Sequence, residues 1–182
     1  MGSVRFIADL HLGHKSICEF SGPWRGDVKT TDEHDEWIVE QWNKVVSKHD
    51  LVMVLGDVCF DKSKLPLLKK MRGSKHLIFG NHDKFGLQEY LKYFDKVHGF
   101  TKYKGRAWLS HAPIHPAELR GKFNIHGHLH HKTMCDDRYI NVSVEKLYGH
   151  PVQWCALELI MNSTKQDEPA RIQSMDFFHE QF

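Results

Sequence analysis

The sequence lacks most of the features that assign a chain quickly. Its 182 residues include four cysteines, Cys18, Cys59, Cys135 and Cys155, and no two of them form a Cys-x-x-Cys pair, so neither a zinc ribbon nor a redox dithiol is indicated. Reduced thiols in a cytosol are the default for such a set. No apolar run approaches membrane-spanning length, and the first residues lack the basic, apolar and small-residue succession of a signal peptide. The formal net charge of +2 is too close to balance to argue for a nucleic-acid or membrane surface. Internal repeats and low-complexity tracts are absent too. The expectation is a soluble cytoplasmic protein, residues 1–182 forming one domain that buries roughly 70% of its unfolded surface.

Histidine is abundant, with 15 copies, and its placement is not random. The apolar run 76–79 ends in Gly80-Asn81-His82-Asp83, which is how a strand hands an amide, an imidazole and a carboxylate to a site at its carboxyl end. Similar junctions recur. Residues 4–8 run into Asp9-Leu10-His11, residues 51–55 into Gly56-Asp57, residues 107–110 into His111, and residues 123–125 into His126-Gly127-His128.

Between these junctions the pattern alternates. Residues 9–29 read as a long loop, because Gly13, Gly22, Pro23 and Gly26 interrupt any helical period. Thr30 and Glu33 form a capping box, opening a helix that carries Ile38, Trp42, Val45 and Val46 on one face and ends near Lys48. Residues 62–72 look helical if the helix begins near Leu65, so that Pro66 falls in its first turn, and residues 85–93 suggest another helix. Residues 97–103 and 106–110 alternate around Lys104-Gly105 like a hairpin. One helical turn at 117–119 and strands at 122–125 and 138–144 follow, and 152–161 reads equally as strand or helix. Ile172, Met175, Phe177 and Phe178 are expected to dock on the body. Strands alternating with helices, then mostly strands, predict an α/β sandwich, with ligands outside the carboxyl ends of the strands.

Two cations held close together need carboxylate and imidazole ligands and one carboxylate to bridge them. In extended backbone, residues i and i+2 share a face, so Asp9 and His11 form one pair and His126 and His128 another, with Asp57 as the natural bridge.

The series Asp9-x-His11, Gly56-Asp57, Gly80-Asn81-His82-Asp83, His111 and His126-Gly127-His128 resembles the calcineurin-like metallophosphoesterase superfamily over residues 4 to about 145. Ala8 to His14, Leu55-Gly56-Asp57 and Asn141-Val142-Ser143-Val144-Glu145 are similar to small bacterial and phage phosphoesterases of that group. The resemblance implies an α/β/β/α sandwich of two mixed sheets flanked by helices. It implies one metal on Asp9, His11, Asp57 and His128, and another on Asp57, Asn81, His111 and His126. Two divalent transition-metal ions are expected, manganese first, with iron, nickel or zinc as alternatives. The implied reaction is in-line attack on phosphorus by a metal-bridging hydroxide, with His82 protonating the leaving group.

Many phosphatases of the superfamily carry a second Asp three residues after the bridging one, which orients the catalytic histidine; here that position is Phe60, leaving Asp61 or Asp83 for the task. The arginine of the protein phosphatase branch is also missing. His14 and Arg25 are candidate phosphate donors and Trp24 a candidate stacking platform. The six basic residues between 62 and 75 read as a solvated face at least as well as a nucleic-acid track, and the His130-His131-Lys132 run as a solvated loop sooner than as a substrate-phosphate contact. The expected substrate is a small nucleotide-like phosphodiester. A phosphomonoesterase and a catalytically impaired protein-binding scaffold are the rivals.

Overall fold

The computed structural model describes residues 2–166. Strand β1 (Val4–Ile7) leads into a segment that was expected to be plain loop but holds a short helix, α1 (Ile17–Ser21), and a 3₁₀ turn over Gly22–Trp24. Gly13 and Gly26, both at positive φ, bound this segment rather than preventing it from winding. Helix α2 (Thr31–Val45) starts where the capping box predicts. The Thr30 hydroxyl accepts from the Glu33 amide, and the Glu33 carboxylate accepts from the Thr30 amide.

Strands β2 (Leu51–Leu55) and β3 (Ser74–Ile78) flank a 3₁₀ helix over Lys62–Lys69. It begins ahead of Leu65 because the Asp61 carboxylate caps it, accepting from the Ser63 amide, and Pro66 therefore falls inside it. Proline cannot donate to the preceding turn, which suits the tighter winding. Helix α3 (Leu87–Tyr90) is far shorter than expected: Gly86 stands in extended backbone ahead of it, and Tyr90 and Phe94 are buried without a continuous helix.

The stretch 97–103 breaks at Gly99 and Phe100 into β4 (Lys96–His98) and β5 (Thr101–Tyr103), which belong to different sheets. The hairpin between β5 and β6 (Ala107–Leu109) does turn at Lys104 and Gly105, both at positive φ. Then come β7 (Phe123–His126), β8 (Tyr139–Asn141), α4 (Val144–Leu147), β9 (Val152–Gln153) and α5 (Trp154–Gln166). The ambiguous 152–161 is thus both, two residues of strand and then a helix that buries Trp154, Leu157 and Met161. Ile172, Met175, Phe177 and Phe178 lie outside the described residues.

The fold is two mixed sheets flanked by helices. One sheet runs β4-β3-β2-β1-β9, parallel except for β9; the other runs β5-β6-β7-β8, parallel except for the hairpin. Alternation along the strands sorts the core into two layers. Ile7, Val52, Val54 and Leu77 pack with Ile38, Trp42, Leu65 and Leu68 beneath the helices. Phe6, Met53, Leu55 and Ile78 pack with Ala107, Leu109, Ile125 and Ile140 between the sheets. The sheets are tied at one end, where the Ala8 amide donates to the Val142 carbonyl and the Val142 amide to the His126 carbonyl. Among the described residues no helix is long and apolar enough to cross a membrane.

At the opposite end, the Asp50 carboxylate accepts from the amides of Ser3 at 2.8 Å and Ser47 at 3.0 Å and from Arg5 Nε at 3.1 Å. Burial disfavours its ionised form, but these donors override burial and hold the carboxyl at about 2. A folded value below the unfolded one, about 3.9, means that this stabilisation is complete above the unfolded value and disappears as pH falls through the folded one. Urea denaturation of Asp50→Asn should therefore show a lower midpoint near neutrality and a shallower loss of stability than the native protein between about pH 4 and 2.

Candidate metal centre

Parallel strands bring their carboxyl ends to one edge, and the polar junctions gather there. The Asp9 amide donates to the Gly56 carbonyl and the His11 amide to the Asp57 carbonyl, continuing the β1–β2 pairing past the strands. Close approach is possible because Gly56 has no side chain: a Cβ there would lie 2.6 Å from the Gly80 Cα and from His111 Nδ1. Gly127 likewise passes Asp9, where a Cβ would lie 2.5 Å from Oδ2.

The backbone here is not extended. Asp9, His11, Asp57, His128 and His130 all lie at positive φ, between 51° and 68°. Left-handed conformations of non-glycine residues cost on the order of 1 kcal/mol or more apiece and concentrate at functional sites. They also overturn the geometric premise that residues i and i+2 share a face.

Asp9 and His11 still converge, their nearest side-chain atoms 3.9 Å apart, with His11 Nε2 3.7 Å from Asp57 Oδ2. His111 Nε2 lies 3.3 Å from the same Asp57 oxygen, so this carboxylate faces both histidines. Asp9, His11 and His130 form one group whose candidate ligand atoms are all within 4.8 Å of one another, and Asp9, Asp57 and His111 form a second. His128 Nδ1 is 3.1 Å from Asn81 Oδ1 and 3.2 Å from His111 Nε2.

The groupings of the last junction differ from the ligand sets that the resemblance implied. His130, read as part of a solvated loop, stands beside Asp9 and His11 where His128 was expected, and His128 stands beside Asn81 and His111 where His126 was expected. His126 is still in β7, fully buried, its Nδ1–H donating to the Gly127 carbonyl at 2.7 Å. The left-handed turns at 128 and 130 repeat those at 9 and 11, and His126 Nε2, like His11 Nε2, is buried with no hydrogen-bond partner among the described residues.

The donor set suits a cation. His11 Nε2 is a buried nitrogen with no hydrogen-bond partner among the described residues. Burial first, and then Arg25, holds the His11 imidazole well below its ordinary value, so the nitrogen keeps its lone pair at neutral pH. Burial also lowers His126 and His128. His111 is the exception: burial would lower it, but Asp57 and Asp9 override burial and push it up to about 9. Its Nδ1–H donates to the Leu55 carbonyl at 2.8 Å, leaving Nε2 toward the carboxylates. Asp9 and Asp57 thus draw positive charge to this point.

Buried charges hold the site from behind. Arg25, 0% exposed, donates from Nε to Glu145 Oε1 at 2.8 Å, from one terminal nitrogen to the Leu10 carbonyl at 3.2 Å and from the other to the Asp9 carbonyl at 2.7 Å. It cannot also serve a phosphate, so its expected substrate role is replaced by a scaffolding one. Glu145 in turn accepts from His130 Nδ1 at 2.8 Å, an arrangement that directs the other ring nitrogen of a histidine at a metal. Asp83 accepts from the amides of Gly80, Asp57 and Val58 and from the Tyr90 hydroxyl, and burial raises its pKa.

With Asp83 so engaged and Asp61 capping a helix, neither carboxylate hydrogen-bonds the His82 ring. That ring lies against Phe60, with centroids 4.8 Å apart, while the His82 amide donates to Asp57 Oδ1 at 2.9 Å. Phe60 also stacks on His14 at 4.1 Å and His11 at 4.7 Å. His14 meets the centre through His11, Nδ1 to Nδ1 at 3.0 Å, and Trp24 lies flat on His131. Sequence reasoning missed His130 and Glu145 as members of the site. The alternate spacing His126-x-His128-x-His130 carried a signal for the first, and only the fold pairs Glu145 with Arg25.

This fold and this cluster of carboxylates, imidazoles and an amide at strand ends define a metal-dependent phosphoester hydrolase. The calcineurin-like phosphoesterase family matches residues 2–171, and the chain belongs to that family, whose members are typically dinuclear. It is 30% identical to an uncharacterized protein of Methanocaldococcus jannaschii over 184 residues, covering 94% of this chain and 96% of the relative. The Gene 66 protein of Mycobacterium phage D29 is 28% identical over 183 residues, covering 80% of this chain and 89% of its own. The crystal structure of a protein of unknown function from Aquifex aeolicus superposes with a TM-score of 0.68 at 26% identity, over 88% of this chain and all of that one.

Replacing Arg25 by Met takes from the buried Glu145 its guanidinium partner and leaves it only the His130 imidazole. Stability in urea should fall by about 3–5 kcal/mol, whereas a phosphate-binding arginine would raise KM and leave the unfolding midpoint in place.

Proposed function

We propose that this protein is a cytoplasmic phosphodiesterase acting on small, nucleotide-like phosphoesters, with two divalent transition-metal ions as cofactors. The observation that carries the reading is the Asp57 carboxylate, whose Oδ2 faces His11 on one side and His111 on the other. Asp9, His11, Asp57 and His130 would hold one ion, and Asp57, Asn81, His111 and His128 the other. A mixed imidazole and carboxylate set favours manganese, iron, nickel or zinc over calcium, and manganese is the ion we would supply first. When bound, the ions acidify a water and neutralise charge on the phosphoryl oxygens.

The chain's own residues supply the rest. Asp57 is oriented by the His82 amide, so its second oxygen is committed to the centre. Glu145 fixes the tautomer of His130, and the Leu55 carbonyl fixes that of His111. His82 is only partly buried and adjoins Asn81, a position from which its ring can protonate a departing oxygen. Arg25, the expected donor to the second charge of a monoester, has every donor group directed at the protein itself, which favours a diester. Four unpaired cysteines, two of them exposed, suit a reducing compartment.

The function is tested by hydrolysis of bis-p-nitrophenyl phosphate and p-nitrophenyl phosphate with manganese and with chelator. The diester should be the better substrate and chelation should stop turnover; a higher kcat/KM on the monoester would make the protein a phosphatase. Asp57→Ala should abolish turnover. His82→Ala should lower kcat by about 10²–10⁴-fold while both ions stay bound. Metal content separates the ligand sets: His130→Ala should lose an ion, whereas His126→Ala should keep both.

A further inference from the structure

Between α1 and the turn at 128–132 lies a cavity of about 420 Å³ that opens onto the metal centre, within the roughly 300–1,000 Å³ typical of small-molecule sites. It is lined by His11, His128 and His130 of the centre together with Ile17, Phe20, Leu129 and Lys132. Trp24 was the expected aromatic platform, but its ring lies parallel to His131 at 4.4 Å, which occupies that face. Phe20 is different. It is 66% exposed, while Ile17 and Ser21 of the same helix are buried, and no ring among the described residues stacks on it. Lys132 is exposed and has no carboxylate partner among the described ion pairs. A bare aromatic face, an apolar wall and a free ammonium beside a phosphoester centre match a flat base joined to an anionic group.

We propose that this cavity binds the organic group of the substrate as a nucleotide, the base stacked on Phe20 and an anionic oxygen met by Lys132. The assignment rests on the phosphoesterase reading of the adjoining centre and names the substrate class it serves. An alkyl ester would leave the face of Phe20 uncovered and gain nothing from it.

Two diesters with the same leaving group test the proposal: thymidine 5′-(p-nitrophenyl phosphate) and methyl p-nitrophenyl phosphate. Phe20→Ala should lower kcat/KM about tenfold on the nucleoside ester, the scale of one aromatic stack, and change the methyl ester by less than about twofold. Phe20→Tyr should retain both activities. Calorimetric titration of thymidine 5′-phosphate into the protein in chelator should show weaker binding for Phe20→Ala and for Lys132→Ala. Titration of thymidine should register only the first substitution. Equal losses on the two esters, or nucleotide binding unchanged by Phe20→Ala, overturns the proposal. If the native protein cleaves neither ester, the phosphoesterase reading fails, and the titrations alone decide whether the cavity is a nucleotide site.

Discussion

Asp9 and Asp57 are almost completely shielded from solvent and point into the same small space. Removing a carboxylate from water costs several kcal/mol unless charge and hydrogen bonds replace the lost hydration. Part of the replacement comes from the backbone: the His128 amide donates to Asp9 and the His82 amide to Asp57. Part comes from His111, whose pKa these two acids raise against the effect of burial. What remains is a concentration of negative potential beside His11 and His128, whose imidazoles burial holds below their ordinary values, and a cation suits it. The arrangement of the loops follows from meeting that requirement.

Five site residues sit in left-handed backbone, and the framework behind them keeps them there. Arg25 holds the carbonyls of Asp9 and Leu10 from beneath. Its partner Glu145, 120 residues along the chain, reaches across to His130, so one ion pair joins the beginning and the end of the site. Asp83 does the equivalent for the middle, clamping the junctions after β2 and β3 through three amides. These charges are buried and paired, the condition under which a structure holds a strained geometry rather than relaxing it. Phe60 adds a layer of rings, stacked on His11 and His14 and tilted against His82.

Much of this was legible in the amino acids. The strands leading to Asp9, Asp57, Asn81 and His111 read correctly because short apolar runs ending in glycine or a polar group carry their own boundary. The capping box located α2 because it is a local contact between residues three apart. Other readings failed for identifiable reasons. The break between β4 and β5 has no local cause as strong as the competition of two sheets for one stretch of chain. Arg25 looked like a phosphate donor because burial cannot be read from residue type, and Trp24 like a platform because its stacking partner lies more than a hundred residues away.

The sequence by itself determined which donor groups exist, that they follow apolar strands, and that carboxylate, amide and imidazole recur in an order resembling a family of phosphoester hydrolases. The tertiary structure decided the assignment. Which of His128 and His130 lies beside Asp9 and which beside Asn81 follows the left-handed dihedrals at the turn, and a left-handed residue redirects the side chains after it in a way that spacing alone cannot show. Which charges serve substrate and which serve scaffold likewise depends on burial and long-range pairing. Those properties belong to the packed chain, because they arise between residues that only folding brings together.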